Sequence, residues 1–128
     1  MNLEEARQFC IAKKGVTEGF PFDEETLVLK VGGKMFALIS LDKEPSINLK
    51  CDPERVIELR ERFDDILPGY HMNKKHWNTV LLAGSLQDSL VEEMITHSYE
   101  LVLASLPRKV QEAVKEERGR SDEWTMRR

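Results

Sequence analysis

The segment 67–77 holds the side chains with the clearest capacity for chemistry. Lysines and histidines are interleaved there with aromatic residues, in the run Leu-Pro-Gly-Tyr-His-Met-Asn-Lys-Lys-His-Trp, and no acidic residue occurs from Ile66 to Gln87. Cations can grip a phosphate backbone while aromatic rings stack on bases, so the pattern is typical of a nucleic-acid contact. The structural alternative is that the rings pack in the core and the lysines solvate a surface turn.

The two histidines of this segment also invite a metal-binding interpretation. His71 and His76, together with Cys51, offer three ligand atoms. The histidine spacing of five matches neither the i, i+4 pair of a helical site nor the tail of a zinc finger. No second cysteine pair is present to complete a structural zinc site. We therefore predict no metal and no cofactor.

Evidence for catalysis is sparse. A nucleophilic site would require Cys51 within hydrogen-bond reach of His71 or His76 in an accessible cleft. The acidic pairs Asp64-Asp65 and Glu92-Glu93 fall on predicted helix surfaces, which is typical of solvated faces rather than acid/base sites. His97 shares a row with apolar residues and is expected to be packed and hydrogen-bonded. The sequence thus predicts a protein that is not an enzyme.

The overall charge excludes one kind of nucleic-acid binder and permits another. The 128 residues include 19 basic and 23 acidic side chains, for a formal net charge of −4. This excludes a globally basic, histone-like protein. The acids are unevenly placed, however: residues 1–25 hold six acids and three bases, whereas 66–87 hold no acid. A local basic surface is therefore compatible with the composition.

The chain is predicted to be cytoplasmic. Residues 1–14 lack the apolar stretch of a signal peptide, and no apolar run approaches the ~18 residues of a membrane span. Cys10 and Cys51 are too few for a disulfide framework and are expected to be free thiols in a reducing compartment. We expect no membrane partner.

The amino-terminal half is predicted to form a helix followed by three strands. Asn2, with Glu5 in the capping-box position, begins a helix over 2–14. A loop is expected over 17–25. Alternating apolar residues on either side of Gly32-Gly33 predict a β-hairpin with strands 26–31 and 34–41, and a third strand is expected over 46–50.

The carboxy-terminal half is predicted to contain three helices and a second hairpin. Asp52-Pro53 caps a helix that runs to about Asp65 and is ended by Leu67-Pro68-Gly69. A hairpin with its turn at Asn73-Lys74 occupies 70–82. Ser85 caps a helix over about 86–105, and Pro107 begins a short further helix.

This order of elements predicts an α+β fold in which an antiparallel β-sheet packs against helices, in the order α-β-β-β-α-(β-β)-α-α. We expect a single domain over 1–106. The densely charged segment 107–128 is expected to form a helical extension and a mobile tail.

Four successive runs resemble the MmcQ/YjbR family of small bacterial proteins. They are Val-Gly-Gly-Lys-Met-Phe-Ala-Leu-Ile at 31–39, Asn-Leu-Lys-Cys-Asp-Pro at 48–53, Pro-Gly-Tyr-His-Met-Asn-Lys-Lys-His-Trp-Asn-Thr at 68–79, and Ser-Tyr with Leu-Val at 98–102. The resemblance covers about residues 2–106. It implies a double-wing α+β domain, similar to the carboxy-terminal domain of the phage transcription factor MotA, and a DNA-binding label that the family carries because of that shape.

The resemblance and the residue chemistry together predict a non-enzymatic domain that binds nucleic acid, in particular duplex DNA. The residues expected to form this surface are Lys30, Lys34, Lys50, Tyr70, His71, Asn73, Lys74, Lys75, His76, Trp77 and Asn78. The alternative is a module that binds a small molecule or a peptide. Its pocket would be lined by Tyr70, His71, His76 and Trp77.

Overall fold

The computed structural model describes residues 1–41, 44–69 and 72–116. These residues form four helices and six strands. In chain order they are α1 (Leu3–Ile11), β1 (Val16–Gly19), β2 (Thr26–Val31), β3 (Lys34–Ser40), β4 (Ser46–Lys50), α2 (Pro53–Arg62), β5 (Ile66–Pro68), β6 (Trp77–Leu81), α3 (Asp88–Ser105) and α4 (Arg108–Glu116).

The described strands form a six-stranded sheet in the order β1-β2-β3-β4-β6-β5, and every neighbouring pair is antiparallel. Alternate side chains point to opposite faces of such a sheet. One face carries Leu29, Ile39 and Ile47, which share a buried core with Cys10 of α1 and Ile95 of α3. The predicted α+β fold, an antiparallel sheet packed against helices, is confirmed.

Two of the local sequence signals act as expected. The Asn2 side chain accepts a hydrogen bond from the Glu5 N–H at 2.8 Å, and the Glu5 carboxylate accepts one from the Asn2 N–H, so the capping box is complete. Gly32 and Gly33 turn the first hairpin with φ of 56° and 84°, a region that side chains with a Cβ rarely adopt. Both signals act over a few residues and need no tertiary contact.

The predicted loop over 17–25 is partly wrong, because Val16–Gly19 forms strand β1 along the edge of β2. The strand has four residues, too few for a recognisable alternation. A bidentate ion pair between Arg7 of α1 and Glu18 of β1, with both N···O distances 2.8 Å, holds it against the first helix.

The second hairpin is also placed differently from the prediction. Helix α2 ends at Arg62. Leu67 and Pro68, predicted with Gly69 to end that helix, instead lie in strand β5 against β6. The expected turn is present, but it is a helical turn: the Asn73 carbonyl accepts hydrogen bonds from the N–H groups of His76 and Trp77.

One of the two predicted helix starts is confirmed and the other is displaced. Asp52 is the N-cap residue of α2 and Pro53 follows it as predicted, although the Asp52 side chain makes no cap hydrogen bond. Helix α3 begins after Gln87 rather than after Ser85. The Ser85 N–H donates to Asp65 at 2.9 Å and ties the β6–α3 connection to the α2–β5 turn.

Helix α4 packs against the first hairpin. Val114 is 4% exposed and belongs to the main core, and a Cβ added to Gly32 would lie 2.6 Å from Leu106 and 3.0 Å from Val110. The predicted helical extension therefore lies on the body of the domain up to Glu116. The predicted mobile tail lies beyond the described residues. A helix long and apolar enough to cross a membrane is not found in the described part of the chain.

Candidate functional site

The face of the sheet that points away from the described helices, called here the open face, forms the candidate site. Its side chains lie in three rows across the strands, because partners in the register point to the same side. The rows are Thr26, Ser40, Ser46 and Leu81; then Val28, Leu38, Asn48, Thr79 and Leu67; then Lys30 with Met35 and Lys50 with Trp77.

A cavity of about 950 Å³ lies over most of the first two rows and over Met35 of the third. Apolar and polar side chains contribute equally to its floor, and Met72 reaches it from the connection between β5 and β6. The apolar lining residues on the floor are Met35, Leu38, Leu67, Met72 and Leu81. Hydroxyl and amide groups stand among them, from Thr26, Ser40, Ser46, Asn48 and Thr79.

Two buried contacts fix the shape of this floor. The Thr79 hydroxyl donates to the Asn48 side-chain oxygen at 2.6 Å, across the pair β4–β6. Val28, Leu38 and Trp77 form a small second core, against which Met35 and Met72 pack. The open face is thus an ordered surface, and its polar groups have defined directions.

The rim at one end of the cavity is acidic and partly aromatic. Asp23, Glu25 and Glu44 line it, and the lining within the described residues includes no lysine or arginine. Asp23 accepts hydrogen bonds from the N–H groups of Glu25 and Thr26, both at 2.8 Å, and these lower the pKa of its carboxyl. Phe22, on the same rim, is 65% exposed.

The predicted basic residues gather at the other end of the open face, with one exception. Lys30 and Lys50 occupy the third row, and Lys74 and Lys75 are exposed in the connection that enters β6. Lys34 turns to the helix side, where its ammonium contacts the Ser105 hydroxyl at 3.3 Å. The open face therefore carries opposite charges at its two ends.

The remaining predicted residues divide between the two faces. Trp77 is 8% exposed within the second core, and the exposed Asn73 side chain accepts a hydrogen bond from the Lys75 N–H. Asn78 is 2% exposed and lies on the helix side, so it is not part of the open face. His76 is half-buried, and its carbonyl accepts a hydrogen bond from the Cys51 N–H.

The predicted pocket residues that the structure describes, His76 and Trp77, do not line the cavity. The other two, Tyr70 and His71, lie outside the described residues. The cavity lining comes from five separate segments of the chain, which only the sheet register brings together. The sequence contains one usable signal for it, the polar positions Ser46 and Asn48 that alternate with apolar ones along β4.

Arg60 is an organising residue that the sequence did not single out. Its Nε donates to the Asn78 side-chain oxygen at 2.7 Å, and its Nη2 donates to the carbonyls of Trp77 and Lys74. The guanidinium therefore clamps α2 to β6 and to the turn that carries Lys74. An arginine on the inner face of a predicted helix was the available signal.

The geometry around Cys51 does not suit a nucleophile. Cys51 is 6% exposed, and burial raises the pKa of its thiol to about 11, so the thiol stays protonated near neutral pH. His97, from α3, accepts a hydrogen bond from the Asp52 N–H at 3.3 Å, as expected for a packed histidine. The described residues hold no group of three or more metal-ligating side chains.

The fold and the site together define a small α+β domain: an antiparallel sheet with helices on one face and a hollow on the other. The YjbR family model matches residues 11–101, and the chain belongs to that family. It is 35% identical to YjbR of Escherichia coli K12 over 108 residues, covering 84% of this chain and 92% of the relative. It is 37% identical to YbdF of Escherichia coli O157:H7 over 113 residues, covering 88% and 93%.

Solved structures share this architecture. A Deinococcus radiodurans protein with a DUF419 domain superposes with a TM-score of 0.83 at 38% identity, over 89% of this chain and 88% of the other. A Pseudomonas syringae protein superposes with a TM-score of 0.71 at 29% identity, over 80% of this chain and 99% of the other. The family resemblance inferred from the four sequence runs is confirmed.

Proposed function

We propose that this domain is a binding module that holds a small ligand in the cavity on its open face. The observation that carries the proposal is the cavity itself. Its volume of about 950 Å³ lies within the range of roughly 300–1,000 Å³ that is usual for ligand pockets. Ligand pockets combine apolar surface with polar groups that orient the ligand, and this lining contains both, with a larger polar share than is usual.

The two chemical components of the floor have different roles. Met35 and Met72 are flexible and polarisable, so they can adapt to the body of a ligand. Ser46 and Asn48 present polar groups at fixed places in the sheet and would orient the ligand. Burial of apolar ligand surface on this floor would supply most of the affinity.

The test is a chemical-shift map of the full chain against a set of fragments that includes amines, carboxylates and neutral compounds. We expect shifts at amides of the two cavity rows, such as Ser46, Asn48 and Thr79. Asn48→Phe places a ring in the hollow and should abolish them. Thr17→Phe is the matched control. Thr17 lies on β1 and is exposed on the open face, but it does not line the cavity.

Two results would count against the binding module. One is the absence of amide shifts with every fragment. The other is a set of shifts located away from the open face and unchanged in Asn48→Phe. Thermal denaturation of both variants shows whether each is folded before its map is interpreted.

The lysine end of the open face favours a second candidate function, the binding of nucleic acid. Lys30 and Lys50 lie in one row of the face, and the exposed Lys74 and Lys75 stand beside it. Such a group can position phosphates without reading bases. With a net charge of −4 the binding would be weak and strongly dependent on salt.

A titration of labelled duplex DNA at low salt tests this second function. Lys74→Ala with Lys75→Ala should weaken binding and reduce its salt dependence. Lys109→Ala with Lys115→Ala removes the same charge from exposed positions on α4 and should have a smaller effect. Equal effects of the two double variants would show that only net charge matters, and no binding at low salt would eliminate the candidate.

We also propose that the domain is not an enzyme and that it resides in the cytoplasm. Cys51 is buried and protonated, which argues against the one nucleophilic site that the sequence suggested. The free thiols of Cys10 and Cys51 suit a reducing compartment. Fractionation of cells that express the protein, followed by immunoblotting, tests the location.

A further inference from the structure

We infer that the ligand of the open-face cavity is a small organic cation, an ammonium or guanidinium group attached to an apolar body. This inference rests on the proposed ligand-binding function and adds the charge of the ligand. Its basis is the combination of an apolar floor, an exposed aromatic ring on the rim and carboxylates that line one end of the same cavity.

The carboxylates determine the sign of the charge that the cavity accepts. Asp23, Glu25 and Glu44 are exposed lining residues, and no ion pair joins any of them to another described residue. Asp23 is held ionised by backbone N–H groups. Because no described lining residue carries a positive charge, an anionic ligand would be repelled from this end and a cation attracted.

The apolar groups determine what must be attached to the cation. Leu38, Met35 and Leu81 form a floor that a bare metal ion or a simple amine would leave exposed to water. Phe22 stands 65% exposed beside Asp23, where it can cover an apolar body or lie against a cation. The carboxylates thus favour the cationic group of an amphipathic molecule, and the floor favours its apolar body.

The connection that carries Asp23 and Glu25 is fixed to the sheet. The Leu41 N–H donates to the Glu25 carbonyl at 2.8 Å, which joins the end of β3 to the segment before β2. Asp23 caps the same segment through the N–H groups of Glu25 and Thr26. Asp23 and Glu25 therefore keep their positions at the edge of the floor, and their charge is already in place before a ligand binds.

The test uses three probes with the same phenylbutyl body: 4-phenylbutylamine, 4-phenylbutan-1-ol and 4-phenylbutyrate. Each is titrated against the full chain at neutral pH and low salt, and dissociation constants are taken from amide shifts at the cavity rows. We expect the amine to bind about tenfold more tightly than the alcohol, as befits a few exposed ion pairs, and the carboxylate to bind most weakly. Added salt should reduce the preference for the amine.

The matched variants replace glutamates by glutamines, which removes the carboxylate charge and keeps the shape of the side chain. Glu25→Gln with Glu44→Gln should remove most of the preference for the amine and leave the affinity for the alcohol unchanged. Glu24→Gln with Glu61→Gln is the control: it removes two exposed acids that do not line the cavity, one of them adjacent to Glu25. The control should keep the preference.

The outcomes separate this inference from the function on which it rests. If amine and alcohol bind equally at the open face, the inference is wrong and the binding module stands. If the carboxylate binds best, the inference is wrong and the lysine end determines ligand charge. If no probe shifts the cavity amides, and the fragment set also fails, the binding module itself is eliminated.

Discussion

Ser98→Ala should destabilise the protein strongly although it removes one oxygen atom. Ser98, on α3, is fully buried, and its hydroxyl makes two hydrogen bonds to the sheet. It donates to the Phe36 carbonyl at 2.6 Å and accepts from the Lys50 N–H at 2.9 Å. The hydroxyl therefore links β3 to β4 just beyond the last pair of their ladder, Ala37 with Leu49.

The magnitude follows from the two backbone groups that would lose their partner. Alanine leaves the Phe36 carbonyl and the Lys50 N–H without Ser98, and each group left unpaired in a buried place costs about 1–3 kcal/mol. For the two groups together we expect a loss of about 2–6 kcal/mol in the free energy of unfolding, a large part of the ~5–15 kcal/mol typical of a domain. Movement of Lys50 should also loosen the third row of the open face.

Urea denaturation measures the loss, and amide hydrogen exchange locates it. The midpoint should fall while the slope of free energy against urea stays constant. The Lys50 amide should exchange faster than amides elsewhere in β4. Ser105→Ala is the control: Ser105 also donates to a carbonyl, that of Val102, at 2.6 Å, but it is exposed, so water replaces the bond. Equal shifts for the two variants, with unchanged exchange at Lys50, would refute the reasoning.

Three further predictions concern other parts of the chain. Gly33→Ala should cost about 1–2 kcal/mol for its positive φ, whereas Gly32→Ala should cost more in urea denaturation because its new Cβ would also push α4 away. In the native protein Cys10 and Cys51 should resist a thiol reagent until unfolding. Burial raises their pKa values to about 12 and about 11, so their contribution to stability is complete below the ordinary thiol pKa and is lost as the pH rises above it. The Asp23 carboxyl should titrate below the ordinary aspartate pKa by NMR, and its contribution should be present above that pKa and lost as the pH falls through the lowered value.

Elements with complete local signals could be predicted from the sequence. The capping box at Asn2, the glycine pair at 32–33 and the long apolar rows of α3 each specify an element within one short window. Their outcomes agree with the structure to within a few residues at the ends. Strand β4 also follows its alternating pattern at 46–50.

The elements that were missed are those that exist through pairing. Strand β1 has four residues and strand β5 has three, and each is defined by the neighbour to which it is hydrogen-bonded. The local sequence around Pro68 predicts the end of a helix. In the structure Pro68 lies in an edge strand of the sheet, where a missing N–H is tolerated. A window of a few residues does not contain the neighbouring strand whose pairing makes β1 or β5 a strand.

Apart from Asn73, which lines the cavity, the candidate site could be predicted only at its lysine end. A one-residue change in register moves a side chain to the other face, so sequence alone could not separate Trp77 on the open face from Asn78 on the helix side. The lysines were visible because they are grouped in the sequence. The cavity was not, because its acids and its floor come from segments that are distant along the chain.

The two candidate functions make opposite predictions for the same substitutions, because they use opposite ends of one face. Glu25→Gln with Glu44→Gln removes negative charge near the cavity, so it should weaken binding of a cationic probe and strengthen binding of DNA. Lys74→Ala with Lys75→Ala should do the reverse. The net charge of −4 is a sum over the whole chain and does not describe the charge at either end of the open face. Measuring both ligands on both variants therefore shows which end of the open face the protein uses, and a variant that weakened both ligands equally would indicate damage to the fold instead.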